Sequence, residues 1–194
     1  MASSGPASII RDEKNPRGIP KALFISDVEQ YLGGPDAEVE KVLNAFQDAL
    51  AKYRYMDSNL NQRRRSLEDK IPDIKKTLTM VEYLRDRRDE EETKKPLRTT
   101  FELADTLYAE AELEETDTVY LWLGANVMLS YKIPTAIELL KSKLEAAQTS
   151  LTNTVEDLEF LREQLTIMEV NTARVYNWDV KRRRDRREKE QAES

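Results

Sequence analysis

The side chains that most often carry out acid–base or metal chemistry are missing from this 194-residue chain. It has no histidine and no cysteine, which removes the commonest general base, the commonest metal ligand and any thiol nucleophile. Aspartate, glutamate, lysine, serine, threonine and tyrosine remain as candidates, but they form no catalytic constellation. The sequence therefore predicts a protein that is not an enzyme and that has no cofactor.

Two charged clusters could still bind ions or polyanions. The stretch 110–117 holds five carboxylates but lacks the spacing of an EF-hand loop, so we interpret it as a solvated turn and predict no metal site. The basic run 181–187 could be a nuclear-localisation signal or a nucleic-acid patch. We favour a solvated helix end, because acidic residues are interspersed and cations complement the helix dipole there.

The composition favours long solvated helices over a thick globular core. Charged residues make up 35% of the chain and hydrophobic residues 39%, with 5 glycines and 7 prolines. The first ten residues do not resemble a signal peptide, and no segment has the roughly 20 apolar residues that span a bilayer. These features predict a soluble intracellular protein. The net charge of −6 argues against general nucleic-acid binding.

Two segments carry the heptad pattern of a coiled coil. In residues 36–88, six apolar residues recur at seven-residue intervals from Phe46 to Val81. Pro72 lies inside this pattern and is expected to bend the helix without ending it. A second apolar seam runs almost unbroken through residues 134–181. Each segment is therefore predicted to be one long helix.

An insert with strand character, residues 98–131, separates the two helices. Its alternation of apolar and polar residues predicts four short strands, paired as two hairpins. If the chain reverses direction at the insert, residues at equal distances from it face each other on the two helices. Leu67 then lies near Leu151 and Leu50 near Met168, and apolar residues face apolar residues along both seams. The helices are thus predicted to pair within the chain as an antiparallel coiled coil; pairing between chains stays open as the alternative.

The predicted fold is mainly α: a long antiparallel two-helix coiled coil with two small β-hairpins at the turn end. Residues 1–18 lack periodicity and are predicted to be a disordered N-terminal arm. Residues 182–194 are predicted to be a charged C-terminal tail, which leaves residues 19–181 as one folded domain. In this arrangement the hairpins lie at one end of the coil, and the N-terminal apolar cluster and the C-terminal segment meet at the other.

Three stretches resemble the prefoldin family, and within it the subunit 3 group of the eukaryotic α class. The similarity covers about residues 18–181, and the sequence Leu-Trp-Leu-Gly-Ala-Asn is close to diagnostic. It implies a prefoldin α-type fold and a hetero-hexamer of two α-class and four β-class subunits, from which six coiled coils hang. Two hairpins, as predicted from spacing, match the α class. The three stretches are Phe101–Tyr108, Leu121–Leu129 and Asn171–Val180.

The resemblance also implies a function, that of an ATP-independent co-chaperone. Its coiled-coil tips would capture unfolded actin and tubulin chains and pass them to the cytosolic group II chaperonin. The implied partners are one further α-class subunit, four β-class subunits, the chaperonin and the clients. The composition predicts no membrane partner, and the net charge argues against a nucleic-acid partner. The implied location is the cytoplasm, with a nuclear role left open. The alternative is a structural coiled-coil spacer or tether that holds no clients.

Two sets of apolar residues are the candidate sites. The first set would contact apolar segments of a client, unless the short N-terminal helix folds back over the coil end and buries it; we weigh these two interpretations equally. The second set would form the core of the oligomer interface, because unpaired strand edges must be paired or covered. The client-contact candidates are Leu23, Phe24, Val28, Tyr31, Leu32, Val175, Tyr176 and Trp178, with Trp178 foremost. The interface candidates are Phe101, Leu103, Val119, Leu121, Leu123, Val127 and Leu129. The residues interpreted as packing are Tyr53, Tyr55, Trp122 and Met168.

Overall fold

The computed structural model describes residues 9–89, 96–113 and 116–192. Two long helices dominate it and small antiparallel strand pairs accompany them, so the predicted fold class is confirmed. The helices are α1 (Val28–Leu32), α2 (Val39–Asp89) and α3 (Ile133–Ala192). The strands are β1 (Ile10–Lys14), β2 (Pro20–Ala22), β3 (Leu97–Ala104), β4 (Leu107–Leu113), β5 (Thr118–Gly124) and β6 (Val127–Lys132).

The long helices differ from the prediction mainly at their outer ends. Before α2, the backbone N–H of Ala37 donates to the carbonyl of Gly34 at 3.4 Å, so a turn precedes the helix, which starts at residue 39 and not at 36. Pro72 lies inside α2 and does not end it. At its other end α3 continues to residue 192, through most of the segment predicted to be a tail. Ion pairs four residues apart, such as Arg184 with Glu188 at 2.8 Å, support these added turns.

The chain divides into two compact units. Unit 1 comprises residues 1–65 and 151–194, and unit 2 comprises residues 66–150. In unit 1 the helices run antiparallel, since Arg54 of α2 pairs with Glu169 at 3.2 Å, whereas Ala37, ahead of α2, accepts a hydrogen bond from Arg182 further along α3. In unit 2, Glu82 of α2 pairs with Lys141 of α3 at 2.9 Å.

Unit 1 contains an element that the sequence did not predict. Strands β1 and β2 pair antiparallel, with Ile10 opposite Ala22 and Lys14 opposite Pro20. Residues 10–14 fall within the segment predicted to be disordered, so for them that prediction is wrong. The lack of periodicity suggested disorder, but partners far along the sequence hold this hairpin in place, as described below. Residues 1–8 lie outside the described residues.

Unit 2 is built around the two longer hairpins. Strands β3 and β4 pair with Phe101 opposite Ala109, and β5 and β6 pair with Leu121 opposite Leu129. The turn between β5 and β6 consists of Ala125 and Asn126, both with positive φ, which is the conformation that a tight two-residue hairpin turn requires. One face of the β5–β6 hairpin packs on the helices in a small apolar core. That core comprises Leu78, Val81, Leu121, Ile133, Ala136, Ile137 and Leu140.

Candidate interaction surfaces

The N-terminal segment packs along α2 and α3 in unit 1, and we call residues 9–34 the strap. Its buried apolar residues, among them Ala22, Ile25 and Val28, join the helices in one core. Two helices alone leave part of their seam in contact with water, whereas here Met168 and Val175 of α3 have no exposed surface. The strap therefore completes a three-layer core.

The predicted client-contact residues divide accordingly. For six of the eight, the structure has the arrangement in which the N-terminal segment folds back over the helices and buries them at least in part. Only Phe24 and Tyr176 are largely exposed, at 47% and 58%. Trp178 is half-buried, with the guanidinium of Arg182 at 4.9 Å from its ring centroid. The buried members are Val28, Leu32 and Val175, and Leu23, Tyr31 and Trp178 are partly buried.

Side-chain amides of α3 bind the backbone of the strap. Asn171 accepts a hydrogen bond from the N–H of Ile25 at 3.0 Å and donates one to the carbonyl of Leu23 at 2.6 Å. Two turns earlier on α3, the side chain of Gln164 accepts a hydrogen bond from the N–H of Ala22 at 2.9 Å. Both amides are buried, so each bond satisfies groups that would otherwise be costly to desolvate.

A polar anchor holds the other end of the strap. The buried carboxylate of Asp157 accepts hydrogen bonds from Asn15 at 2.6 Å and from Arg17 at 2.7 Å. Arg17 also pairs with Glu156 at 2.8 Å. Hydrogen bonds to these two carboxylates raise the pKa of the Arg17 guanidinium. Arg17, a charged residue of the N-terminal segment, thus contacts α3 and is not part of a solvated arm.

The polar contacts that α3 makes to the strap were not predicted, although the sequence carries a signal for them. Asp157, Gln164 and Asn171 recur every seven residues beside the apolar seam of α3, which puts them on one helix face. A polar residue repeated at heptad spacing next to a seam indicates a third element that supplies hydrogen-bond partners. The seam itself was assigned only to the pairing of two helices.

Tyr53 of α2 fastens the middle of the strap, and this contact gives a testable pH dependence. Its hydroxyl donates to the carbonyl of Pro20 at 2.9 Å, and burial raises the pKa of Tyr53 above its ordinary value of 10.0. The pKa of Tyr53 is therefore higher in the folded chain than in the unfolded chain. Because of this difference, the contribution of Tyr53 to folding stability is complete below about pH 10 and is lost as the pH rises through the folded-state pKa. Absorbance of the phenolate and hydrogen exchange of the strap should therefore change together in alkaline solution.

The matched variant for this prediction is Tyr53→Phe. It keeps the ring in the core and removes only the hydroxyl, so we expect a loss of about 1 kcal/mol in the stability of strap docking. Hydrogen exchange at neutral pH should show the strap amides exchanging several-fold faster. Equal exchange in the two proteins would mean that this bond does not hold the strap.

An open groove lies between α2 and α3 in unit 1. It has a volume of about 340 Å³, its lining is mainly apolar, and Tyr176 stands exposed at it. The guanidinium of Arg174, on the same stretch of α3, lies 5.2 Å from the ring centroid of Phe24. The groove is lined by Leu43, Gln47, Leu50, Glu169, Thr172, Ala173 and Tyr176.

The hairpins of unit 2 present the second candidate surface. Phe101 is 62% exposed, and the alternation of the strand puts it on the same face as Leu103, which is exposed as well. Leu121 differs, because it is buried in the core of unit 2 and is therefore unavailable to a partner. Val119 is partly buried against that core. The remaining predicted interface residues, Leu123, Val127 and Leu129, are exposed.

Two residues interpreted as packing are in fact exposed, whereas Tyr53 and Met168 are buried as predicted. Trp122 of β5 is 60% exposed, next to exposed Tyr120 on the same strand; both point away from the face that carries Leu121. Tyr55 of α2 is 70% exposed. Strand β5 carries apolar or aromatic residues on both faces. Its sequence therefore does not indicate which face packs against the rest of the chain and which face is exposed.

Part of the acidic stretch 110–117 lies in a strand. Glu110 and Glu112 lie in strand β4 and not in a turn, and Glu114 and Glu115 lie outside the described residues. Among residues 9–89, 96–113 and 116–192, no group of three or more acidic side chains is arranged to hold a metal ion. Within the same ranges no helix is apolar enough over a sufficient length to cross a membrane.

The basic run 181–187 is part of α3 and contacts residues ahead of α2. Arg182 donates to the carbonyls of Pro35 at 2.9 Å and of Ala37 at 3.0 Å. Arg186 pairs with Asp36. Several of these cations are therefore occupied by the chain itself.

Comparison with known proteins points to one family. Residues 53–178 match the family model described as prefoldin subunit. The chain is 53% identical to prefoldin subunit 3 of Elsinoe fawcettii over 96% of this chain and 93% of the relative. It is 51% identical to a probable prefoldin subunit 3 of Schizosaccharomyces pombe, over 86% of this chain and 93% of the relative. The human prefoldin subunit 3 is 46% identical, over 86% and 83% respectively.

Proposed function

This chain belongs to the prefoldin family, in its subunit 3 group, and we propose that it holds unfolded proteins without ATP. It is a subunit of a prefoldin chaperone, and its relatives are chaperone-type proteins and not known enzymes. One observation carries the proposal of client holding: exposed Tyr176 stands at an open, mainly apolar groove between α2 and α3. Apolar contacts without directional requirements suit a chain that has no fixed shape.

Its partners are other prefoldin subunits, and we propose a hetero-hexamer in which this chain joins one further α-class and four β-class subunits. The exposed apolar faces of the two hairpins in unit 2 support this assembly. Isolated two-stranded hairpins are only marginally stable in water, and contiguous exposed apolar patches mark interfaces between proteins. Partner subunits would cover Phe101 and Leu103 on β3 and stabilise both hairpins.

The proposed clients are unfolded chains of the actin and tubulin class, which pass from the complex to the cytosolic group II chaperonin. The family resemblance supports this part of the proposal, together with a location in the cytoplasm. Transfer can be measured by mixing the client-loaded complex with purified chaperonin and following the client by native gel. Appearance of the client on the chaperonin is the expected result, and retention on the hexamer would contradict it.

Removing the exposed aromatic side chains tests client holding. The double variant Phe24→Ala with Tyr176→Ala should assemble normally, because both side chains are largely exposed. Truncating two aromatic residues that each contact a client costs about 1.4 kcal/mol or more of binding free energy. We therefore expect that about tenfold more complex is needed to suppress aggregation of denatured actin by half.

The matched control is Tyr83→Ala, which removes an exposed aromatic residue of α2 in unit 2. It should leave the suppression of aggregation unchanged. Trp178→Ala is a poorer test, because Trp178 is half-buried against the core of unit 1. Unchanged holding by the double variant would remove these residues from the client surface. An assembled complex that holds no client at all would favour the spacer or tether.

A further inference from the structure

The strap is bound to the helices of unit 1 in the manner of a peptide ligand. Residues 20–26 form strand β2 and the extended segment that follows it, and they lie against α2 and α3. Ala22 and Ile25 are buried there. The core into which they insert includes Phe46 and Tyr53 of α2, and Leu161, Met168 and Val175 of α3.

Most hydrogen bonds in this stretch are made to the backbone of the strap and not to its side chains. Asn171 holds both an N–H and a carbonyl, Gln164 holds an N–H, and Tyr53 holds the carbonyl of Pro20. Arg174 donates to the carbonyl of Ser26 at 2.9 Å. Backbone groups are the same in every polypeptide, so these contacts do not depend on the sequence that they bind.

The buried amides are costly unless something occupies the groove. Gln164 and Asn171 have almost no exposed surface, and a buried amide without partners is strongly unfavourable. Asn171 uses both its donor and its acceptor on the strap, as a neighbouring strand would. If α3 only packed against apolar side chains of the strap, a leucine at position 164 or 171 would serve as well as the amide.

We propose that this groove is a binding site for extended segments of unfolded polypeptides, and that the strap occupies it in cis. A client segment with small or branched apolar residues at the positions of Ala22 and Ile25 would displace the strap and take over its backbone hydrogen bonds. This inference rests on the proposed client-holding function and adds to it the site and the conformation of the bound client. It also makes strap release a condition for full use of the site.

The geometry suggests how the strap can be released without altering the groove. Ala22 and Ile25 belong to the strap alone and are 2% and 4% exposed, so Ala22→Asp with Ile25→Asp would bury two carboxylates and expel the segment. A milder variant, Asn15→Ala with Arg17→Ala, removes the polar anchor at Asp157 and Glu156. It also removes the hydrogen bonds that Asn15 accepts from the N–H groups of Arg17 and Ile19.

The experiment uses the assembled prefoldin complex and a labelled peptide of residues 9–34. Fluorescence anisotropy should show the peptide binding the strap-released complex at least about tenfold more tightly than the wild-type complex, where the strap competes. A control peptide that carries both aspartates should not bind. Denatured actin should displace the labelled peptide, and the strap-released complex should suppress aggregation at a lower concentration than the wild type.

The outcomes separate the inference from the function on which it rests. If both complexes suppress aggregation but actin does not displace the peptide, the groove is not the client site and the inference fails. If neither complex suppresses aggregation, yet an unfolded chain displaces the peptide, the proposed function fails and the groove assignment stands. Native mass spectrometry checks assembly of the double aspartate variant; should it not assemble, the Asn15→Ala/Arg17→Ala complex decides by the same two measurements, with a smaller gain in peptide binding.

Discussion

Replacing Phe101 by lysine is expected to prevent stable assembly of this chain with other prefoldin subunits. Phe101 is exposed in the single chain and lies on the apolar face of the β3–β4 hairpin. In the proposed hexamer that face is covered, so the substitution forfeits about 2–3 kcal/mol of apolar burial and places an ammonium group in the interface. Assembly should weaken by about 100-fold or more.

The neighbouring substitution Thr100→Lys is the matched control. Successive residues of a strand point to opposite faces, and Thr100 stands across from Glu110 on the polar face, where a lysine is favourable. Co-expression followed by native mass spectrometry should find hexamer with Thr100→Lys and little or none with Phe101→Lys. Equal yields of hexamer from the two variants would mean that this face of the hairpin is not the interface.

The second large effect is expected in the core of unit 1. Phe46 has no exposed surface and stacks with Tyr31 of the strap, with ring centroids 6.5 Å apart. Phe46→Ala should lower the free energy of unfolding by about 3–5 kcal/mol, from lost burial and from the cavity left behind. Urea unfolding of the isolated chain, followed by far-UV circular dichroism, measures this change.

Tyr55→Ala provides the comparison on the same helix. Tyr55 is largely exposed, so removing its ring should change the free energy of unfolding by less than about 0.5 kcal/mol. In Phe46→Ala, but not in Tyr55→Ala, the strap amides should also exchange faster with solvent. Similar losses of stability in the two variants would contradict the three-layer core.

Regular periodicity made the helical part of the fold predictable. Apolar residues at seven-residue intervals from Phe46 to Val81 can be satisfied only by a long helix with a partner, and the seam of α3 supplies that partner. The alternation in the insert correctly predicted two hairpins. Three short stretches, around Phe101, Trp122 and Val175, predicted the family, which the relatives confirm.

The strap could not be predicted, because its contacts are distant in sequence. Asn15 and Arg17 bond to Asp157, about 140 residues away, and without that partner a charged segment suggests disorder. Docking of the strap also explains why Val28 and Val175, for which client contact and burial were weighed equally, are buried. Local patterns report which side chains are apolar, but not which element covers them.

The mass of the intact complex is the most direct test of whether this chain is one subunit of a hetero-hexameric prefoldin. The chain is to be co-expressed with candidate α-class and β-class prefoldin subunits and examined by native mass spectrometry. The expected result is a hexamer that contains one copy of this chain, one further α-class subunit and four β-class subunits. A stable homodimer of this chain, formed in the presence of those subunits, would contradict the proposed hexamer and favour the tether.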